Sequence, residues 1–335
     1  MERLYDKLKA YSESDFYAFH MPGHKRNKAL LGIELPYDLD ITEIDGFDDL
    51  HHADGILKEE QERAARVFGA EESHFLVNGS TAGILSAVMG CTHRGDKILV
   101  ARHCHKSIYH AIYMNGLVPR YVYPEFDISM HMNGEISKED VAKALAAEPD
   151  IKAVVIVSPN YDGVVSDVKG IAEVAHSYRI PLIVDEAHGP HFGFHPAFPG
   201  RANDLGADVV INSLHKTLPS LTQTAILHIN GKIVNRRRIK KYLDMLQSSS
   251  PSYIFMASLD ACVDFVDGKC ENAFELYVER LQKFREELEP LQHLQILRTE
   301  HYDISKVVIS TANANITSPE LADRLRKEYL SLIHI

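Results

Sequence analysis

Four short stretches of this chain combine residue types that could grip an anion, stack on a flat ring, hold a proton on a ring nitrogen and attack an aldehyde. The first is Asn78-Gly79-Ser80-Thr81-Ala82-Gly83, between the apolar run "HFLV" and an apolar helix pattern. Small residues admit close backbone approach, a helix N-terminus favours an anion, and Ser80 and Thr81 add hydroxyl donors. An ordinary N-capped turn has the same composition. The stretch is neither G-x-G-x-x-G nor a Walker A loop, so nucleotide binding is not supported. The second, Arg102-His103-Cys104-His105-Lys106-Ser107, follows "DKILVA" and offers an imidazole able to stack on a heteroaromatic ring, although a lone histidine is more often structural.

The third stretch, Val184-Asp185-Glu186-Ala187-His188-Gly189, ends the run "PLIVDEAHG". A carboxylate at the tip of a buried strand loses water and needs a cation or donor, such as a protonated pyridine nitrogen. His188, His191 and His195 could instead bind a metal with Asp185, but their spacing matches no zinc pattern, and no metal is expected. The fourth is Ser213-Leu214-His215-Lys216-Thr217, after "DVVINS". Partial desolvation there lowers a lysine pKa and frees its amine to attack an aldehyde, whereas most lysines are simply solvated charges. In chain order the four supply a phosphate turn, a stacking ring, a counter-carboxylate and an amine. Those are the contacts that pyridoxal 5'-phosphate (PLP) requires, with Asp185 keeping its nitrogen protonated and Lys216 forming the Schiff base.

The elements that must position these residues also show in the pattern. "SHFLVN", "DKILVA", "PRYVYP", "KAVVIVS", "PLIVDEAHG" and "DVVINS" are nearly continuous Val/Ile/Leu runs, as expected for strands buried on both faces. They alternate with helical segments, among them "SKEDVAKALAAE" with Ser137 as N-cap. Alternation over some 150 residues predicts a largely parallel α/β sheet. "TAILHI" is a further strand candidate, and a long amphipathic helix fills "ENAFELYVERLQKFREELEP". "LQILR", "KVVIS" and "SPELADRLRKEYL" look like the start of a smaller α/β domain. The expected organisation is an irregular N-terminal segment (1–45), a large domain (46–268) and the beginning of a small C-terminal domain (269–335).

The 335 residues carry a net charge of −11, which argues against nucleic-acid or membrane-surface binding but would attract a cationic substrate. The one dense basic run, Arg236 to Lys241, reads as the solvated face of a helix rather than a phosphate patch. Cys91, Cys104, Cys262 and Cys270 form no C-x-x-C pair, as suits reduced thiols in the cytoplasm. The N-terminus lacks a signal-peptide stretch, and no window approaches the roughly 18 apolar residues of a membrane span.

Taken with "FHMPGHKRN", "DITEIDGFDDLHHADGILKEEQERAARVFGAE", "VSPNYDGVVSD" and "SPSYIFMASLD", these motifs run in order over roughly residues 17 to 260. In them the chain resembles the Orn/Lys/Arg decarboxylase family, PLP enzymes of fold type I, in its short bacterial form. That resemblance implies an aspartate-aminotransferase-like fold, with a mainly parallel seven-stranded sheet between helices. It implies that Lys216 holds PLP, Asp185 pairs with the pyridine nitrogen, and His105 stacks on the ring. Ser80, Thr81, Ser213 and His215 would bind the phosphate, and His188 would lie beside the cofactor. It further implies a homodimer or higher homo-oligomer with the site at the interface, "SSSPSY" reaching the partner. The implied reaction removes the α-carboxylate of arginine, lysine or ornithine, giving a polyamine precursor and CO2. The family continues into a C-terminal domain, whereas this sequence ends at Ser331-Leu332-Ile333-His334-Ile335, so a truncated chain is expected. Another fold-type-I activity (aldolase, lyase or aminotransferase) and a truncated PLP-binding protein without activity remain the alternative readings.

Overall fold

A strand with no polar alternation has two faces to bury, and helices must cover both. The computed structural model, which describes residues 2–29, 31–128, 131–296 and 299–329, satisfies that demand with one large sheet. The chain begins with α1 (Leu4–Ser12), α2 (Ile56–Val67), β1 (Glu72–Leu76), α3 (Gly79–Cys91), β2 (Lys97–Ala101), α4 (Lys106–Asn115) and β3 (Val118–Val122). A short pair, β4 (Phe126–Asp127) and β5 (Met132–Asn133), precedes α5 (Lys138–Ala147), β6 (Ile151–Val157), α6 (Val168–Ser177), β7 (Leu182–Asp185) and β8 (Val209–Asn212). Then follow α7 (Leu214–Thr217), β9 (Ala225–Ile229), α8 (Arg236–Leu246), α9 (Tyr253–Val266) and α10 (Glu271–Leu288). The described chain closes with β10 (Gln295–Ile296), β11 (Ile309–Ser310) and α11 (Ser318–Glu328).

The seven strands lie in the order β1-β9-β8-β7-β6-β2-β3, and β9 alone runs antiparallel to its neighbours. The C-terminal ends of β1, β2, β6, β7 and β8 therefore share one edge, where an α/β sheet binds ligands. Successive residues of β6 show why the strands read as unbroken apolar runs. Val155 and Val157 pack with α3, α4 and α8, while Val154 and Ile156 pack with α5 and α6 on the opposite face. A third cluster joins α1, α2, α9 and α10 at one side of the sheet. Ser137 caps α5 as expected, accepting from Asp140 N at 3.3 Å.

Three expectations need correction. The N-terminal stretch is not wholly irregular: α1 forms because Leu4 and Leu8, one turn apart, are fully buried against that third cluster, while Arg3 bonds Asp260 of α9 at 2.8 Å. A nine-residue helix with two apolar anchors has little periodicity to detect. In "KVVIS" only Ile309 and Ser310 pair as strand, and Lys306 instead meets His188. In "LQILR" the pairing residues are Gln295 and Ile296, and Leu297 and Arg298 lie outside the described residues, as do the chain's last six. The basic run does form helix α8, but it is more than a solvated face. Arg236 pairs with Glu71 and Glu72, and Lys240 donates to the His51 carbonyl at 2.6 Å.

Helix α3 starts at the ligand edge, and its small residues let α8 approach closely. A Cβ on Gly90 would lie 2.6 Å from Ile239 Cγ1 and 2.9 Å from its Cα. Gly90→Ala gains about 1 kcal/mol of helix propensity but overpacks by about 1–3 kcal/mol. A net loss of stability in urea unfolding is expected, and a net gain would show that α8 can shift freely.

Candidate active site

Each chemically interesting side chain sits where a strand ends. β1 leads through Gly79, whose φ of +74° favours glycine, into the first turn of α3. Asn78 makes no side-chain cap there, so the α3 amides keep their capacity for an anion beside Ser80 and Thr81. Asn78 instead accepts from Ser248 N at 3.1 Å, which brings the start of "SSSPSY" to this chain's own turn. Beyond β2, His105 caps α4 through Ser107, and its exposed ring lies within range of the Lys216 charge. Loss of water, then Lys216, lowers its pKa. Neighbouring His103 is half-buried, and its Nδ1 meets no hydrogen-bond partner among the described residues.

Asp185 ends β7 between Val157 and Ile211, buried, with Ala187 N donating to it at 3.1 Å. Burial pushes its pKa up to about 6, against the pull of Lys216 and that amide. After β8, the Ser213 side chain is fully buried and its Oγ meets no hydrogen-bond partner among the described residues, and Lys216 emerges from the single turn of α7. Lys216 Nζ lies 3.0 Å from His188 Nε2. Its pKa is lowered by desolvation and by Lys306, and raised by Asp185. His215 Nδ1 donates to the Thr224 carbonyl at 2.8 Å, turning the other ring nitrogen away from that loop.

The fold thus brings Asp185, His188, Lys216 and the charge range of His105 to one edge, with Ser213 and His215 flanking the lysine. The residues fit PLP on observations independent of motif: an orphaned buried hydroxyl at Ser213, an uncapped helix start and a buried carboxylate short of donors. The histidines weighed as metal ligands diverge instead. His188 meets Lys216, His191 bonds Thr217 and Asp303, and His195 bonds Glu275. Among the described residues no group of three His, Cys, Asp or Glu is placed to hold a metal.

Sequence reasoning missed Asp303 and Lys306, and the contacts that tie Tyr161, His191 and Thr217 to them. Lys306 Nζ is 3.3 Å from His188 Nδ1, and the Tyr161 ring meets the His188 ring edge-on at 5.6 Å. Asp303, His191 and Thr217 form a buried chain, with contacts of 3.2 and 3.1 Å, that ends beside Lys216. A cavity of about 580 Å³ adjoins Lys216, Lys306, Thr217 and Tyr277. No local signal marks Asp303 or Lys306, since His191 and His188, which they meet at this edge, lie more than a hundred positions away.

This sheet, with a lysine after β8 and a carboxylate at the tip of β7, is the fold of the PLP-dependent fold-type-I enzymes, and the solved structures that resemble it share it. Lysine decarboxylase A from Pseudomonas aeruginosa superposes with a TM-score of 0.84 at 22% identity, over 100% of this chain and 56% of its own. The chain belongs to the Orn/Lys/Arg decarboxylase family, whose major-domain model matches residues 3–312. It is 42% identical to YaaO of Bacillus subtilis (strain 168) over 78% of this chain and 56% of that protein. It is 34% identical to the arginine decarboxylase of Halalkalibacterium halodurans, over 97% of this chain and 69% of that protein.

Glu186 stiffens the site from behind: it is buried, accepts from Ala202 N at 2.9 Å and Asn212 Nδ2 at 3.0 Å, and burial pushes its pKa up to about 8. The unfolded chain gives up this proton near 4.5, the folded chain near 8. Its contribution to stability is therefore full below pH 4.5 and is lost as pH rises toward 8. The stability of Glu186→Gln relative to the native protein should rise across that window, by at most about 1.4 kcal/mol per pH unit. Paired urea melts from pH 5 to 8 would show it, and a flat difference would mean that Glu186 is ionised throughout.

Proposed function

We propose that this chain holds PLP at the C-terminal edge of its sheet and removes the α-carboxylate of a basic amino acid. The observation that carries the reading is that a buried carboxylate, Asp185, and an amine of lowered pKa, Lys216, feel each other's charge, with the buried Ser213 hydroxyl at the start of the lysine's own turn. When bound, PLP supplies an aldehyde for the substrate amine and a ring that accepts the electron pair left by departing CO2. Asp185 would keep a proton on the ring nitrogen, an ion pair that restores what burial takes from its carboxylate. Lys216 offers the attacking amine. The α3 amides, Ser80, Thr81, Ser213 and His215 would hold the phosphate, the last by Nε2–H when the ring is charged, because Nδ1 is already committed to Thr224. His105 would flank the ring, and His188 stands beside the amine.

The substrate class is arginine, lysine or ornithine, giving a polyamine precursor and CO2, with a proton replacing the carboxylate at Cα. Arginine comes first, because the relative that is 34% identical over 97% of this chain carries that name. The working unit is a homodimer or larger homo-oligomer. Phe16, Tyr17, Phe19 and Met21, between 67% and 89% exposed in one N-terminal stretch, support a second copy covering them. The four thiols, none in a disulfide, support a cytoplasmic setting, and no described helix is long and apolar enough to cross a membrane.

Native protein mixed with PLP and reduced with borohydride should carry a pyridoxyl-phosphate mass on the Lys216 peptide, and Lys216→Ala should carry none there. A label placed on another lysine would sink the cofactor assignment. PLP-loaded protein should release CO2 from at least one of arginine, lysine and ornithine. Asp185→Asn should still take up PLP but turn over about 10²-fold or more slowly, on the scale of lost preorganised electrostatics. Amino transfer or retro-aldol cleavage in place of CO2 release would assign a different fold-type-I reaction.

A further inference from the structure

Two lysines flank one imidazole. Lys216 Nζ lies 3.0 Å from His188 Nε2, and Lys306 Nζ lies 3.3 Å from His188 Nδ1. A neutral imidazole has one N–H and one lone pair, and an ammonium group has donors only. Two ammonium groups would oppose the imidazole N–H with a donor, and an imidazolium would need both amines neutral. The geometry is satisfied when one lysine is charged and donates to His188, while the other is neutral and accepts from it.

The surroundings decide which lysine keeps the charge. Burial lowers the pKa of both lysines, but Lys306 is drawn back toward its charged form by two carboxylates, Asp303 and Asp162, and lies 5.8 Å from the Tyr161 ring centre. Lys216 faces one carboxylate, Asp185, which burial itself disfavours as an anion, together with His105 and the charge of Lys306. Lys306 is also held firmly. Asp303 N donates to the Gly163 carbonyl at 2.9 Å, and Gly163 allows Lys306 so near that an added Cβ would lie 2.7 Å from Lys306 Cβ.

We infer that Lys306 is a positioning residue: by donating to His188 Nδ1 it fixes the tautomer whose Nε2–H donates to Lys216, presenting Lys216 as a neutral amine. The inference concerns the cofactor-free chain and deepens the proposed attachment of PLP, which needs that amine. It assigns a task to a lysine that lies outside every motif quoted for the family.

The test is competitive acetylation of the cofactor-free protein across pH, with Lys216 modification read by mass spectrometry. In the native protein the Lys216 midpoint should lie below the ordinary lysine value of about 10.4. In Lys306→Met and in His188→Phe, Lys216 labelling at pH 8 should fall several-fold. In Lys306→Arg, which keeps a charged donor, labelling should stay near native. An ordinary native midpoint overturns the inference without any variant having to fold. So does unchanged labelling in folded Lys306→Met, or a loss in Lys306→Met with none in His188→Phe, which would mean bare charge repulsion without the imidazole. A low native midpoint in a protein that captures no PLP would instead sink the cofactor reading and leave this one standing.

Discussion

The carboxylate of Asp185 is the constraint to which the rest of the site answers. It ends a strand in the middle of a sheet whose neighbours on both sides are apolar, and one backbone amide donates to it at 3.1 Å. A pKa near 6 in place of 3.8 corresponds to on the order of 3 kcal/mol against the charged form. A fold can hold such a group in two ways: leave it protonated, or place a cation opposite it. The surrounding residues prepare the second. Lys216 emerges from the adjacent strand close enough to pull on the Asp185 proton, yet its nearest polar contact is His188. Under the proposed function a cationic ring nitrogen would be the partner of Asp185, so the reading leans on the carboxylate more than on the lysine.

The lysine depends on that carboxylate in turn. An amine in water is protonated at neutral pH and cannot attack; one crowded by protein and by another cation loses its proton more readily. Asp185 opposes that tendency at Lys216, whereas desolvation and Lys306 promote it. Ion pairing of Asp185 with a ring nitrogen would weaken its hold on the Lys216 charge, so the two sites are coupled in the direction that catalysis needs.

How far all this could be read from sequence follows from the range of each interaction. The β6 and β7 runs were legible because a strand buried on both faces has no polar positions, and Asp185 was legible because a charge stands out at the end of such a run. Ser80, Ser213 and Lys216 stood out because an α/β sheet binds ligands at its strand ends, and the structure places all three just after a strand. Glu186 lay in plain view beside Asp185, but its task, tying Ala202 and Asn212 together, exists only after folding. Helix α1 was hidden because its stability comes from two leucines and an Arg3–Asp260 contact across 257 positions, not from its own pattern. Lys306 looked like the polar start of "KVVIS", and nothing local distinguishes a lysine that opens a strand from one that turns into a site.

That last difference separates the boundary of a domain from the boundary of a site. The sheet is complete by Ile229 and the helices that flank it by Leu288. The segment around Lys216, however, is gripped from two directions by residues 303 to 306. Asp303 reaches Thr217 through His191, and Lys306 reaches Lys216 through His188. Both bridges cross the expected division near residue 268. The family model runs on to residue 312, just past these contacts and well beyond the last strand of the sheet. A division near residue 268 would keep the motifs and lose the residues that meet His188 and His191. In this fold the hydrophobic core decides what is stable, and the short segment docked after it decides how Lys216 is presented.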